Sequence, residues 1–424
     1  MGETLPVLSV EEAKERIKNG QPIEGVRIDR LSLANWRFEG PITILDCKIG
    51  LLDLNKGTFF REVDIRRCDI GQIVFSEAVF EGPVNFKKST FYRGRFQRVT
   101  FKDQARFENT GLAHCSFYQS RFEGGADFGF STFTSEPNFT EVVFGANTRF
   151  ANVKVQGDAN FSKTHWEGTA DLRQMDVDGD LDLTRARFDG DCLLTETVIR
   201  LSLWMGQCHF QGATNLAAVM AGRGIILEGV KVGAEQGFSF INAMAPKIVL
   251  DRDTVEGHIL AERQGDFSQA VKEYAFLRTN FEMTNRFDDE DWAYYQFKRM
   301  GRRARKRGLN PLRWLHLVAE YLFLDLGCGY GTKPFRTLVA VFVLIGLFGG
   351  IYWALGLHTD VDFGAPPWLN TVLNAMNTSL VVFSGGYGDF EYQGWPRTLA
   401  MLEYLLGIVF LGLFVVAFSR KVIR

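Results

Sequence analysis

Residues 377–390 read NTSLVVFSGGYGDF: hydroxyl groups, an apolar block, then three glycines set around one tyrosine. Glycine admits backbone angles that other residues resist, so consecutive carbonyls in such a run can turn toward a common axis. A ring of carbonyls drawn from four such loops can replace the hydration shell of an ion. The oxygens on offer belong to Ser384, Gly385, Gly386 and Tyr387, with Gly388 and Asp389 closing the stretch. A short apolar segment, TVLNAMNTSLVVF, leads into it from APPW. It reads as a helix too short to cross a bilayer. Non-helical backbone at membrane depth is tolerated only where protein buries it or water meets it. The segments on either side therefore have to supply the membrane frame.

They have the length for it. Between Arg336 and His358 lie 21 uncharged residues, and between Arg397 and Arg420 lie 22 with Glu403 as the one charge. A crossing takes about 20. Lys333 and Arg336 precede the pair and Arg420, Lys421 and Arg424 follow it, while Asp360, Asp362, Asp389 and Glu391 lie between them against Arg397. That asymmetry puts both termini on the cytoplasmic side of a plasma or bacterial inner membrane. The start, MGETLPVLSVEEAKERIKNG, has no apolar core of signal-peptide length.

The order span, short helix, GYGD, span resembles the two-transmembrane potassium channel family over residues 335–424. The resemblance implies a homotetramer that conducts potassium and needs no cofactor. It assigns the ion-facing oxygens to Ser384, Gly385, Gly386 and Tyr387, and the outer mouth to Gly388 and Asp389. Ser384 stands where the family has Thr, Phe383 where a second Thr is usual, and Gly385 where it has Val or Ile. Gly385 keeps the carbonyl but lacks the side chain that stiffens the loop. Two alternatives stay open: a weakly selective cation channel, and a membrane-anchored scaffold with a vestigial pore. Glu403 falls behind the filter, where a lone intramembrane carboxylate is functional or paired. Gly407 falls where the family places an inner-helix hinge, a position that close helix packing would explain equally.

The rest of the chain follows a different rule. From Phe117, apolar residues recur at alternating steps of 5 and 6, through Phe122, Phe128, Phe133, Phe139, Phe144 and Phe150 to Val249. Upstream the step is nearly 5, from Ile44 through Ile49, Leu54 and Phe60 to Leu112. Neither a helix nor a strand has that period. Four steps make 21 or 22 residues, one apolar residue for each side of a four-sided coil, which is the mark of a solenoid. Small residues two places before the ladder, such as Ala126, Ser131 and Ala159, can point inward beside it. Asp or Asn one place before, as at Asp127, Asn138, Asn160, Asp171 and Asp182, can bond nearby backbone at the corners. Units such as ADFGFSTF and DANFSKTHW resemble the pentapeptide-repeat family, over roughly residues 31–255. That resemblance implies a quadrilateral β-helix of nine to ten coils between 44 and 249.

After the ladder, residues 256–309 read as a helical hairpin. Ala270, Tyr274, Leu277 and Phe281 share one face, and Asp288 or Asp289 is placed to cap the second helix. The halves GDFSQAV and NRFDDED resemble turns of tetratricopeptide-type hairpins, so the segment serves as a spacer or a protein-binding arm. A basic collar follows: Arg299, Arg302, Arg303, Arg305, Lys306 and Arg307. Beside a membrane such a cluster attracts anionic lipid. Residues 310–335 read as an interfacial helix with Arg313, His316 and Glu320 on one stripe.

The expected protein is thus a multidomain membrane protein. A helical cap (1–30) precedes the pentapeptide-repeat solenoid (31–255), then come the α-helical hairpin linker and the interfacial segment. An all-α two-transmembrane pore domain (336–424) closes the chain: first span 337–357, pore helix 369–383, re-entrant filter 384–389 and second span 398–419. An unknown cytoplasmic ligand or protein on the β-helix or hairpin would be its regulatory partner. A net charge of -2 argues against nucleic acid. The six dispersed histidines and the cysteines at 47, 68, 115, 192, 208 and 328, without a CxxC pair, offer neither a catalytic constellation nor a disulfide framework.

Overall fold

A step of five or six residues leaves room for about two residues of strand before the chain must turn, and the N-terminal part of the computed structural model is built in that way. The structure describes residues 5–234, 236–305, 311–357, 359, 361–386 and 393–422. Helix α1 (Val10–Lys18) opens it; Ser9 is its N-cap, its Oγ accepting from the Glu12 amide at 3.2 Å, as the sequence suggests. Short strands then stack in parallel register into sheets of up to 12 strands, forming a β-solenoid of about 11 turns. Its first strand, Ile23–Glu24, pairs with Ile44–Leu45, so coiling begins ahead of residue 31. Early coils advance 21 residues (Val63 on Val84 on Ala105) and later ones 22 (Thr132 on Lys154 on Asp176).

The ladder is the core. Phe107, Phe117, Phe122, Phe128, Phe139 and Phe144 are all fully buried. Rings stack along the coil axis (Phe107 on Phe128 at 4.6 Å, Phe117 on Phe139 at 4.8 Å) and meet edge-to-face across it (Phe107 with Phe117, 88°). Each burial is worth about 2 kcal/mol, and each aromatic pair about 1 kcal/mol more. The small residues do point inward: Ala126, Ser131, Ala159, Ala170 and Ala186 are buried. The Asp and Asn side chains accept the amide two residues on, at 2.8 Å for Asp127 and Asp182 and 2.9 Å for Asn138.

Two ladder positions differ from expectation. Phe59, not Phe60, lies in the core, stacked on Phe80 at 5.1 Å. Phe60 sits outside with the Arg37 guanidinium over its ring. With Phe59 in place the early coils step 5, 5, 5 and 6 without exception. At the other end Leu250 rather than Val249 is buried, because Thr214 pairs with Phe238 and the last coil is two residues longer than its predecessors.

One corner is notable for lacking glycine. Asn35, Lys56, Glu77, Arg98, Gln119, Glu141, Lys163, Arg185 and Gln207 all have φ between 54° and 62°. Each occupies the third position of a turn such as Leu33–Trp36, where the Trp36 amide donates to the Leu33 carbonyl at 3.2 Å. A left-handed residue that is not glycine costs about 1 kcal/mol. Stacking offsets it: the Lys56 and Arg98 amides donate to the next coil at 2.9 Å, and Glu141 accepts from Gln119 at 2.8 Å and Lys163 at 3.2 Å.

The solenoid ends in two single-turn helices, α2 (Arg252–Val255) and α3 (Leu260–Arg263). The helical part comprises α4 (Phe267–Met283), α5 (Phe287–Ala304), α6 (Pro311–Ala319) continued by a π-helical run Glu320–Gly327, α7 (Pro334–Leu355), α8 (Pro367–Ser384) and α9 (Trp395–Val422). The chain divides into two compact units at the middle of α4, residues 1–276 and 277–424. Helix α5 is not capped by Asp288 or Asp289. Arg286 holds the N-cap position, Asp289 pairs back to it, and Asp288 turns to Lys421. Helices α7 and α9, of 22 and 28 residues, are both long and apolar enough to cross a membrane.

Candidate functional site

Helix α8 is gripped by glycine on both sides. A Cβ on Gly349 of α7 would fall 2.5 Å from the Met376 sulfur, and one on Gly407 of α9 would fall 2.4 Å from the Phe383 carbonyl oxygen. Helix α9 runs unbroken through Gly407. That glycine therefore has a packing reason to be glycine, at the very end of the helix leading to the filter residues. Ser384 is the last residue of α8, and Gly385 follows with φ 121°, a value open to glycine and strained for any other residue. Gly386 has no space for a side chain either, since its Cβ would meet Val381. Tyr387, Gly388 and Asp389 lie outside the described residues.

Glu403 is fully buried where the three helices meet. Its carboxylate accepts from the Tyr352 hydroxyl of α7 at 2.5 Å and from the Ser379 hydroxyl of α8, and Ser379 Oγ lies 3.0 Å from the Ile345 carbonyl of α7. A buried carboxylate needs such donors. Here they tie α8 to both long helices less than two turns before its C-terminus. The other side of α8 carries a polar stripe at helical spacing, Asn370, Asn374 and Thr378. These side chains bind the segment after α7: the Phe363 and Val361 amides donate to Asn370 and Asn374 at 2.9 Å, and the Thr359 amide donates to Thr378 at 3.2 Å. The rotation of α8 is thus set by hydrogen bonds on both faces. Sequence reasoning picked out Glu403 but none of its donors, and it passed over the stripe, although the spacing i, i+4, i+8 was there to see.

A second polar centre lies at the end of α9. Its last turn carries Arg420 and Lys421, and the first turn of α5 carries Asp288, Glu290 and Asp291. Arg420 reaches Asp291 at 2.9 Å and Glu290 at 3.3 Å, with its guanidinium 4.3 Å from the Tyr294 ring centre. Lys421 reaches Asp288 at 2.6 Å and Asp291 at 3.0 Å. Arg278 of α4 adds a contact to Glu290 at 3.0 Å. Glu290 is fully buried. Each set of charges also suits its own helix end, acids at an N-terminus and cations at a C-terminus. The Lys421 ammonium holds the Asp288 carboxyl below its usual range.

The basic collar is partly spent within the chain. Arg302 pairs with Asp325, which also accepts from the Tyr295 hydroxyl at 2.7 Å, and Arg305 pairs with Glu320 at 2.6 Å. Both acids sit on the π-helical run, so these two arginines fasten α5 to it rather than forming uncommitted positive surface. Arg303 is exposed and Arg299 half-buried. Lys306 and Arg307 lie outside the described residues.

Comparison with known proteins bears on the other unit. The family described as pentapeptide repeats (9 copies) matches residues 65–111, 75–121 and 117–165. The solenoid is a pentapeptide-repeat domain. No curated protein and no solved structure matches the chain. At the C-terminal end of the pentapeptide-repeat domain, the first half of α4 lies on the last coil. Phe276 packs on Phe240 at 6.3 Å, and Glu273, 1% exposed, accepts from the Ser239 hydroxyl at 3.1 Å and the Phe240 amide at 3.4 Å. Burial pushes the Glu273 carboxyl up to about 7.

Proposed function

We propose that the chain is the subunit of a homotetrameric potassium channel with a cytoplasmic pentapeptide-repeat domain. The observation that carries this reading is α8, a helix of 18 residues held by two glycine contacts and Glu403 between the two candidate spans and ending at Ser384-Gly385-Gly386. One chain presents one such end, and a carbonyl ring takes four. Ser384, Gly385, Gly386 and Tyr387 would line the ion path, Gly388 and Asp389 its outer mouth, and potassium is the permeant ion rather than a cofactor. Both termini are cytoplasmic by the charge distribution. The apolar side chains exposed along α7 and α9, among them Phe342, Val343, Leu402 and Val416, are left for lipid and for neighbouring subunits. Arg299 and Arg303 are the collar residues proposed to meet anionic lipid.

The test is the reversal potential of purified protein in liposomes under a potassium or sodium gradient. Potassium preference is expected, and equal reversal potentials would sink selectivity while leaving conduction. A weakly selective cation channel is the second reading, and the backbone at Gly385 favours it: φ 121° is far from the extended form that a stacked carbonyl ring needs. Gly385→Val bars that conformation, at a cost of about 1–2 kcal/mol to the bent form. It is therefore expected to raise the potassium-to-sodium permeability ratio. An unchanged ratio counts against loop flexibility as the cause of weak selectivity.

The cluster at the end of α9 supports a route for gating. Helix α5 precedes the first candidate span yet grips the end of the second, so displacement of the hairpin reaches the inner end of α9 directly. In an open–closed equilibrium the hairpin acts by favouring one state. Arg420→Ala leaves Glu290 and Asp291 without that cation, a loss on the order of 3 kcal/mol for a buried pair. A several-fold change in open probability is expected in single-channel records, with unitary conductance unchanged. Equal open probabilities would remove the cluster from gating.

A further inference from the structure

The contact between α4 and the last coil is built around a carboxylate with no cation. The groups that meet Glu273 are uncharged, the Ser239 hydroxyl at 3.1 Å and the Phe240 amide at 3.4 Å. The charged and titratable side chains nearby are engaged elsewhere. Glu262 of α3 accepts from the Tyr274 hydroxyl at 2.5 Å, Arg263 donates to the Ala234 carbonyl at 2.7 Å and to the Gln236 carbonyl, and His258 Nδ1 lies 3.0 Å from the Gln236 carbonyl. On α4 itself, Lys272 is exposed. Among the described residues no cation forms an ion pair with Glu273. An ionised carboxylate removed from water with two neutral donors is poorly compensated, whereas a protonated one is not penalised in this way.

We propose that the seating of α4 on the last coil of the solenoid is proton-dependent near neutral pH, with the neutral carboxyl of Glu273 as the seated form. The direction follows from linkage. A carboxyl that rises from 4.5 when free to about 7 when seated stabilises the seated helix fully at acid pH. That contribution is lost as pH rises from about 4.5 to about 7, and above 7 nothing further is lost. Between pH 6 and pH 8 the seating equilibrium should fall about tenfold, most of it below pH 7. Helix α4 is also the covalent path from the solenoid to α5, so this residue is placed to loosen or fasten the solenoid's hold on the hairpin. The inference does not rest on conduction and stands or falls without it.

Amide hydrogen exchange on the full-length protein in lipid nanodiscs tests it. Protection factors corrected for intrinsic exchange should drop about tenfold for residues 267–276 between pH 6 and pH 8, while the coils around Phe117–Phe144 stay level. Glu273→Gln keeps the shape and removes the charge, and its α4 protection should be level across that range. Flat wild-type protection overturns the proposal, as does an equal drop in the Gln variant. Should that variant fail to fold, the wild-type profile of α4 against the coil interior decides the matter alone.

Discussion

Phe144→Asp leaves no folded solenoid. Phe144 is fully buried, with the Phe122 ring 5.6 Å away on one side and the Trp166 ring 4.2 Å away on the other. The substitution removes about 2 kcal/mol of burial and both ring contacts. It also places a carboxylate where the ladder offers only carbon. Burial of an uncompensated charge costs several kcal/mol even after relaxation, and a domain has about 5–15 kcal/mol in total. Each coil of a solenoid is supported only by its neighbours, so a break in the middle separates two half-rods that each expose an apolar end. Circular dichroism and size-exclusion chromatography should show loss of the cooperative β signal or its accumulation in aggregate. Phe144→Leu, which keeps the ladder apolar, should fold with a loss of about 1 kcal/mol. Soluble, cooperatively melting Phe144→Asp protein would mean that the ladder is not the core.

Glu403→Ala is expected to disable sustained conduction and to weaken the helical unit by about 3 kcal/mol. The Tyr352 hydroxyl loses its acceptor in an apolar surrounding, and a small cavity opens among α7, α8 and α9. Ser379 retains the Ile345 carbonyl, so α8 stays attached to α7 but loses its tie to α9. The end of α8, already pressed against Gly407, then has no polar restraint from that side. Glu403→Gln keeps an acceptor for Tyr352 and should recover most of the stability and current. That recovery separates a positioning role from a merely space-filling one, because Glu403→Leu fills the space without accepting a hydrogen bond and should not rescue. Wild-type current and melting temperature in the Ala variant would show that the three-helix tie is dispensable.

The solenoid was legible in the sequence because its information is local. A coil of fixed length places one large apolar residue inward per side, so covalent spacing alone reveals the period, the change from 21 to 22 residues and the Asx corners. The reading failed where local information is ambiguous: Phe59 and Phe60 are adjacent and chemically identical, and only packing on Phe80 decides between them. The two residues added to the last coil likewise shift Leu250 into the place read for Val249. In the helical unit, composition was enough for the two long apolar helices and the short one between them. The partners of its charges were not readable. Glu403 finds Tyr352 across 51 residues, and Arg420 finds Glu290 across 130. Arg302 and Arg305, read as a lipid-facing collar, are claimed by Asp325 and Glu320 instead. A charge in a sequence announces a need for compensation but not its source, and water, lipid or a distant acid satisfies it equally until the chain folds. The same holds for Gly407, whose lack of a side chain suits a hinge or a contact. Only the approach of the Phe383 carbonyl to within 2.4 Å of the missing Cβ selects the contact.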